Sequence, residues 1–210
     1  MANINGAFGL RPIAKVGQNS NSMGVSGYSS YEIASDNSNA IYQGTPVIPL
    51  STGYIDVAGA AAGGTVGLVG AFMGCKYVSS TTGKPTWSNY WPGSGADSNH
   101  PVEAFVADDP LQLFVIATDA SLTNKATARA AVFANANFAS GTSGSTTTGM
   151  SSATLGVSTI NTTANLNLRI MGWEEDAANE DFAAAGIGMI VRLNNSFNSP
   201  NGAIAGGTVS

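Results

Sequence analysis

Residues 65–91, TVGLVGAFMGCKYVSSTTGKPTWSNYW, decide the reading of the fold. From Thr65 to Ser80 the only charge is Lys76, and the run reads as one long or two shorter buried strands. TTGKP (81–85) carries the Gly and Pro of a turn, and TWSNYW (86–91) reads as the returning strand of a hairpin. The hairpin raises a question of its own. Trp87, Tyr90 and Trp91 crowd into GKPTWSNYWPG (83–93), two of the three tryptophans among them. Three readings fit that knot: core that closes one end of a barrel, an anchor for another protein, or a platform for sugar stacking. A sugar platform also needs polar partners, and along the chain only Asn89 is close.

The same pattern continues on both sides. Upstream, YSSYEIA (28–34) precedes the Asx-type turn SDNSN (35–39). AIYQGTPVIPL (40–50) contains prolines that confine it to an edge or a bulged strand, and GYIDVAG (53–59) alternates briefly. Downstream, PGSGADSNHP (92–101) reads as a loop, VEAFVA (102–107) as a strand, DDP as a turn and LQLFVIAT (111–118) as the next strand. SLTNKATARAAVFANANF (121–138) predicts a short helix over 125–131, capped by Thr123 or Asn124, then a strand or irregular chain. ATLGVST (153–159) is a weak strand or turn. ANLNLRIMGW (164–173) alternates with Leu166, Leu168 and Ile170 on one face, and AGIGMIVRLNNSF (185–197) supplies a last strand.

This pattern predicts an all-β protein, a sandwich or barrel of about eight to ten short strands with at most one short helix. Residues 1–27 are expected as an extended arm, tied down by the apolar knot Phe8, Leu10, Pro12 and Ile13. Residues 28–198 form the single β-rich domain. Within it the Gly/Ser/Thr stretch 139–152 is expected as a flexible loop, and 199–210 as a frayed or swapped tail.

Composition excludes several classes of function. Charged residues are 10% of the chain, against about 25% in an average domain. The 43% hydrophobic content argues against wholesale disorder. A surface with so few charges suits a protein that covers much of itself by assembly. The net charge is −5 and the eight Lys and Arg are scattered, which argues against a nucleic-acid partner. The single cysteine, Cys75, rules out an intrachain disulfide and a multi-Cys metal site. The uncharged span Val57–Cys75 is just long enough for a bilayer, but six glycines and five alanines in its 19 residues argue against a membrane partner. No secretory signal is expected in MANINGAFGLRPIAK, which lacks a basic start followed by about 7–15 apolar residues.

No catalytic, cofactor-binding or metal-ligating residues are assigned. His100 is the only histidine and precedes Pro101 in a loop, where an exposed side chain is the expected state. GTSGS (141–145) has the wrong spacing for a nucleophile elbow, and no phosphate-cradling loop is present. EEDAANED (174–181) clusters carboxylates without the alternate spacing and central glycine of a calcium loop, so a solvated acidic loop is expected.

Four stretches together carry a resemblance: NGAFGLRPI (5–13), GCKYVSSTTGKPTWSNYWPG (74–93), VADDPLQLFVIATD (106–119) and the pair LNLRIMGWEEDAANED and MIVRLNNSF (166–181 and 189–197). In this order they resemble the capsid decoration, or cement, proteins of tailed bacteriophages. The resemblance implies a non-enzymatic virion protein on the outer capsid surface, made in the host cytoplasm. It would bind the major capsid protein and itself, as a dimer or trimer, and clamp neighbouring coat subunits. Phe8, Leu10, Arg11, Pro12, Ile13, Trp87, Tyr90 and Trp91 are the candidate contacts. On this reading, removing residues 1–14 weakens attachment more than it weakens the fold. The alternative is a carbohydrate-binding or host-surface adhesion module.

Overall fold

The computed structural model describes residues 3–16, 27–58, 67–140 and 143–199. Over these residues it is an all-β sandwich built on two large open sheets, with a further two-stranded sheet, one short α-helix and one 3₁₀ turn. In chain order the strands are β1 (Arg11–Lys15), β2 (Ser29–Ile33), β3 (Pro46–Pro49), β4 (Ile55–Val57), β5 (Gly70–Val78), β6 (Pro85–Ser88), β7 (Val102–Ala107) and β8 (Gln112–Ala117). After the helix α1 (Lys125–Ala131) come β9 (Asn135–Ala136), β10 (Phe138–Ser140), β11 (Thr154–Leu155), β12 (Leu168–Trp173) and β13 (Gly188–Leu193). The excess over the expected eight to ten comes from pieces of two or three residues, β4, β9, β10 and β11.

The first sheet runs β1-β8-β13-β12-β9 and is antiparallel throughout. Alternation sets its buried face: Phe114, Ile116, Leu168, Ile170, Met189, Val191 and Leu193 point into one core, as the period of two demands. Ala128 and Ala131 of α1 pack on the same core. The helix starts where the sequence predicts. Asn124 is its N-cap, and the Asn124 side chain accepts from the Thr127 N–H at 2.9 Å, satisfying a donor that the first turn would otherwise leave bare.

The second sheet runs β2-β7-β5-β3-β4, with β6 paired to β5. The predicted hairpin is this β5–β6 pair, in register from Cys75↔Ser88 to Val78↔Pro85. The sheet curls until β2 and β4 approach within 8 Å at their Cα atoms. It does not close into a barrel. Asn37 Nδ2 and Asn39 Nδ2 instead donate to the Asp56 carboxylate at 3.1 and 2.8 Å, so side chains bridge the gap that a ladder would fill. Inside the curl lies a second core of Ile33, Ile41, Val47, Ile55, Phe72, Cys75, Trp91, Val102, Ala104 and Val106. The opposite face of β5 and β7 contributes Ala71 and Ala107 to the first core, which joins the two sheets.

Three expectations change. β3 is not an edge strand: it lies between β4 and β5, and its prolines are tolerated because they sit at its first and last positions. Residues 11–15 of the expected arm are a strand of the first sheet, paired from Arg11↔Val115 to Lys15↔Gln112. Just before it the chain crosses residue 44 at close range. Leu10 N–H donates to Gly44 O at 2.8 Å, and both Gly9 (φ 75°) and Gly44 (φ 87°) adopt conformations that side chains resist. A Cβ on Gly9 would lie 2.6 Å from Gly44 O. Third, residues 143–152 are bonded rather than free. Ser145 N–H donates to Met150 O at 2.9 Å, and Ser151 N–H to Gln43 O at 2.9 Å. The Gly/Asn/Ser half of the arm (17–26) and the tail from 200 lie outside the described residues.

Candidate functional site

The aromatic knot splits into three environments because the chain leaves β6 at Ser88 and turns. Trp91 is fully buried in the second core, bridged through its backbone to Ile41. Its Nε1–H donates to Asn37 O at 3.1 Å and Tyr77 meets its ring edge-on at 5.5 Å, so the indole is satisfied on all sides. Tyr90 is half-buried and stacks on Tyr42 at 5.6 Å. Trp87 is 67% exposed.

Trp87 is not isolated. The register pairs Lys76 with both Trp87 and Glu103, and Gly74 with Phe105. Trp87 and Phe105 therefore reach across β5 from either side and stack, 5.6 Å apart and 7° from parallel. The Lys76 ammonium lies 5.3 Å from the centre of the indole and 3.8 Å from Glu103. Ser30 Oγ donates to the other oxygen of Glu103 at 2.9 Å. The outcome is an apolar ledge with a cation, a carboxylate and a hydroxyl along one side. The sequence offered only Asn89 as a polar neighbour, yet Asn89 turns away to donate to Thr148 O at 2.8 Å. Phe105 was legible as an outward residue, since it alternates with buried Ala104 and Val106.

The N-terminal candidates divide as well. Leu10 is 1% exposed and belongs to the first core, so, like Trp91 in the second, it serves chiefly to pack the fold. Phe8 is half-buried, with the Arg11 guanidinium 5.2 Å above its ring. Arg11 also grips both oxygens of Glu174, at 2.9 and 3.0 Å. Phe8, Leu10, Arg11, Gln43, Met73 and Met150 line an open cavity of about 310 Å³. Pro12 and Ile13 are half-buried in β1, where a register shift between Pro12 and Ala14 interrupts the sheet edge.

Phe133 escaped the sequence reading. It is 75% exposed and holds φ at 71°, a conformation that bulky residues rarely adopt. In AVFANANF it looks like one more core residue, and the left-handed backbone turns it outward. No signal in the sequence marks that flip.

The groups with chemical potential are occupied. His100 lies on an exposed turn 3.7 Å from Asp97, whose carboxyl is held below its usual value chiefly by the Asn99 N–H. Burial pushes the Cys75 thiol up to about 12, leaving it inert at neutral pH. In the acidic loop Glu174 holds Arg11, Glu180 lies 4.0 Å from Lys125, and Asp176 accepts from Asn179 Nδ2 and the Ala178 N–H. No group of three His, Cys, Asp or Glu positioned for a metal occurs among the described residues. No helix among them is long and apolar enough to cross a membrane.

No family model, curated protein or solved structure matches the chain.

Proposed function

We propose that the chain is a non-enzymatic structural virion protein that binds the outer surface of a phage capsid and strengthens contacts between major capsid protein subunits. The observation that carries this reading is the Trp87–Phe105 ledge. A tryptophan held two-thirds exposed by a parallel stack, on a chain with few charges, is the kind of rigid anchor that dominates protein interfaces. The four stretches that resemble decoration proteins give the ledge its partner, and the second of them contains Trp87. Such a protein opposes internal DNA pressure by adding buried interface. Roughly 800 Å² per partner makes a stable contact, and repetition over the lattice, together with self-association as a dimer or trimer, multiplies its strength.

The test mixes purified protein with shells of the coat protein. The protein is expected to co-sediment and to raise the temperature at which the shells disrupt. Trp87→Ala, still folded, is expected to lose both effects. Shells that neither retain the protein nor gain stability would overturn the proposal.

One observation favours a second reading, a carbohydrate-binding or adhesion module. Lys76, Glu103 and Ser30 supply along Trp87 the polar partners that sugar stacking requires. Binding on a glycan array that disappears in Trp87→Ala, with no affinity for shells, would select this reading over the first.

A further inference from the structure

One side of the second sheet is only partly covered. Ala71 of β5 and Ala107 of β7 are cross-strand partners and pack on that side into the first core. Side chains alternate along a strand, so Phe105 and Glu103 lie on the same side as Ala107, farther from the first sheet. The register carries this row across the sheet. Glu32, Glu103, Lys76 and Trp87 are successive partners on β2, β7, β5 and β6, at steps of about 4.8 Å. Glu32 and Trp87 are exposed, and the side chains of Lys76 and Glu103 keep 41% and 43% of their surface. Every member of the row is open to a partner.

The row is also unbalanced in charge. Lys76 lies 3.8 Å from one oxygen of Glu103, and Ser30 Oγ donates to the other. Glu32 has no ion pair and no side-chain hydrogen bond among the described residues, and it stands directly opposite Glu103. Like charges so placed repel. Two carboxylates against one ammonium leave the row at −1. A second copy of this face would set another −1 against it, so self-pairing here is opposed, and a cation is the complement. The net charge of −5 on the whole chain favours a basic partner at long range as well. Beside the carboxylates the surface is apolar: Trp87 stacks on Phe105, and the pair Val78 and Pro85 continues the ledge on the next outward row.

We propose that this face takes a basic segment of the coat protein, whose lysine or arginine binds between Glu32 and Glu103 while a neighbouring apolar side chain packs on Trp87 and Phe105. The inference rests on the reading that the ledge meets the capsid, and it adds the chemistry of the partner. The incoming cation removes the repulsion between the two glutamates.

The experiment measures co-sedimentation with coat-protein shells for the parent chain, Glu32→Gln, Glu32→Lys and Glu175→Lys. Glu175 is an exposed residue of the acidic loop and controls for a change in net charge. Glu32→Gln is expected to weaken binding about two- to fivefold, the size of one exposed ion pair, and Glu32→Lys by about tenfold. Both substitutions relieve the repulsion from Glu103, so both variants are expected to melt no lower than the parent. Glu175→Lys is expected to bind as the parent does. Parent affinity is expected to fall between about 50 and 500 mM sodium chloride, and that of Glu32→Lys to fall less. Shells that bind Glu32→Lys as tightly as the parent, or lose equal affinity for Glu32→Lys and Glu175→Lys, overturn the basic partner and leave the capsid reading in place. Shells that bind no form of the chain overturn that reading, and this inference with it. Sedimentation of the chain alone tests the other occupant: a parent dimer that Trp87→Ala disperses puts a second copy on the face and rejects the proposal.

Discussion

At the scale of single residues, Trp87 and Trp91 show how four positions along a chain separate two roles. Trp91 fills the second core and has its Nε1–H bonded to Asn37 O, whereas Trp87 lies on the surface with one stacking partner. Truncating a buried aromatic removes its burial and leaves a void, at about 3–5 kcal/mol. Losing an exposed stack removes about 0.5–1.5 kcal/mol. Denaturant unfolding is therefore expected to show a large loss for Trp91→Ala and a small one for Trp87→Ala. Equal losses would place both side chains in the core. The sequence could not make this distinction, because both tryptophans lie in one short aromatic run. What separates them is the turn after Ser88 and the bridge from Trp91 to Ile41, a contact across 50 residues. Phe133 was hidden for a different reason, since its exposure follows from a positive φ that composition does not encode.

At the scale of elements, local chemistry was the most legible. The helix, its Asn124 cap, the β5–β6 hairpin and the alternating strands β7, β12 and β13 all follow from short-range rules of period, turn and cap. What those rules could not place was β1, whose partner β8 lies a hundred residues away. One tie that holds β1 there is ionic: Lys15 pairs with Asp109 at the β7–β8 turn, and both side chains are mostly covered. The bond from Lys15 is the chief reason that the Asp109 carboxyl lies below its usual value, helped by the Leu111 N–H. A depressed acid contributes stability that is fully present above its unfolded value, about 3.9, and is lost as pH falls through its folded value. Asp109→Asn keeps an acceptor for the Leu111 N–H and removes the charge. The melting temperature of the parent is thus expected to exceed that of Asp109→Asn near pH 7, by an amount worth about 1 kcal/mol or less. The gap should close as the pH is taken below 4. A gap that stays constant with pH would mean that Asp109 acts through shape rather than charge.

At the scale of the whole molecule, the N-terminal segment is the piece whose meaning changes most. Composition makes 1–27 look like an arm for a neighbour to hold. Over residues 3–16, however, the holding is done by the chain itself. Asn3 Nδ2 donates to the Asp181 and Ala185 carbonyls at 3.0 and 2.8 Å, and Asn179 Oδ1 accepts from the Ile4 and Asn5 N–H groups at 2.9 and 2.8 Å. Leu10 then enters the first core and β1 completes the sheet beside β8. The partners of the asparagines and of β1 are more than 90 residues distant, so a scan of local pattern finds only an unpaired apolar knot. The consequence is a truncation test that separates an arm from a structural strand. Removing residues 1–9 leaves Leu10 and β1 in place and forfeits mainly the asparagine bonds and Phe8. Removing residues 1–15 also empties the Leu10 site, a loss of about 2–5 kcal/mol for a buried leucine. It further bares the edge of β8, whose QLFVIA sequence has the strand propensity and lack of charge that favour edge-to-edge association. The longer truncation is accordingly expected to melt well below the shorter one and to aggregate, as read by thermal unfolding and size-exclusion chromatography. If it instead remains monodisperse with the midpoint of the intact chain, β1 contributes nothing to the fold and the segment is free to serve as an arm after all.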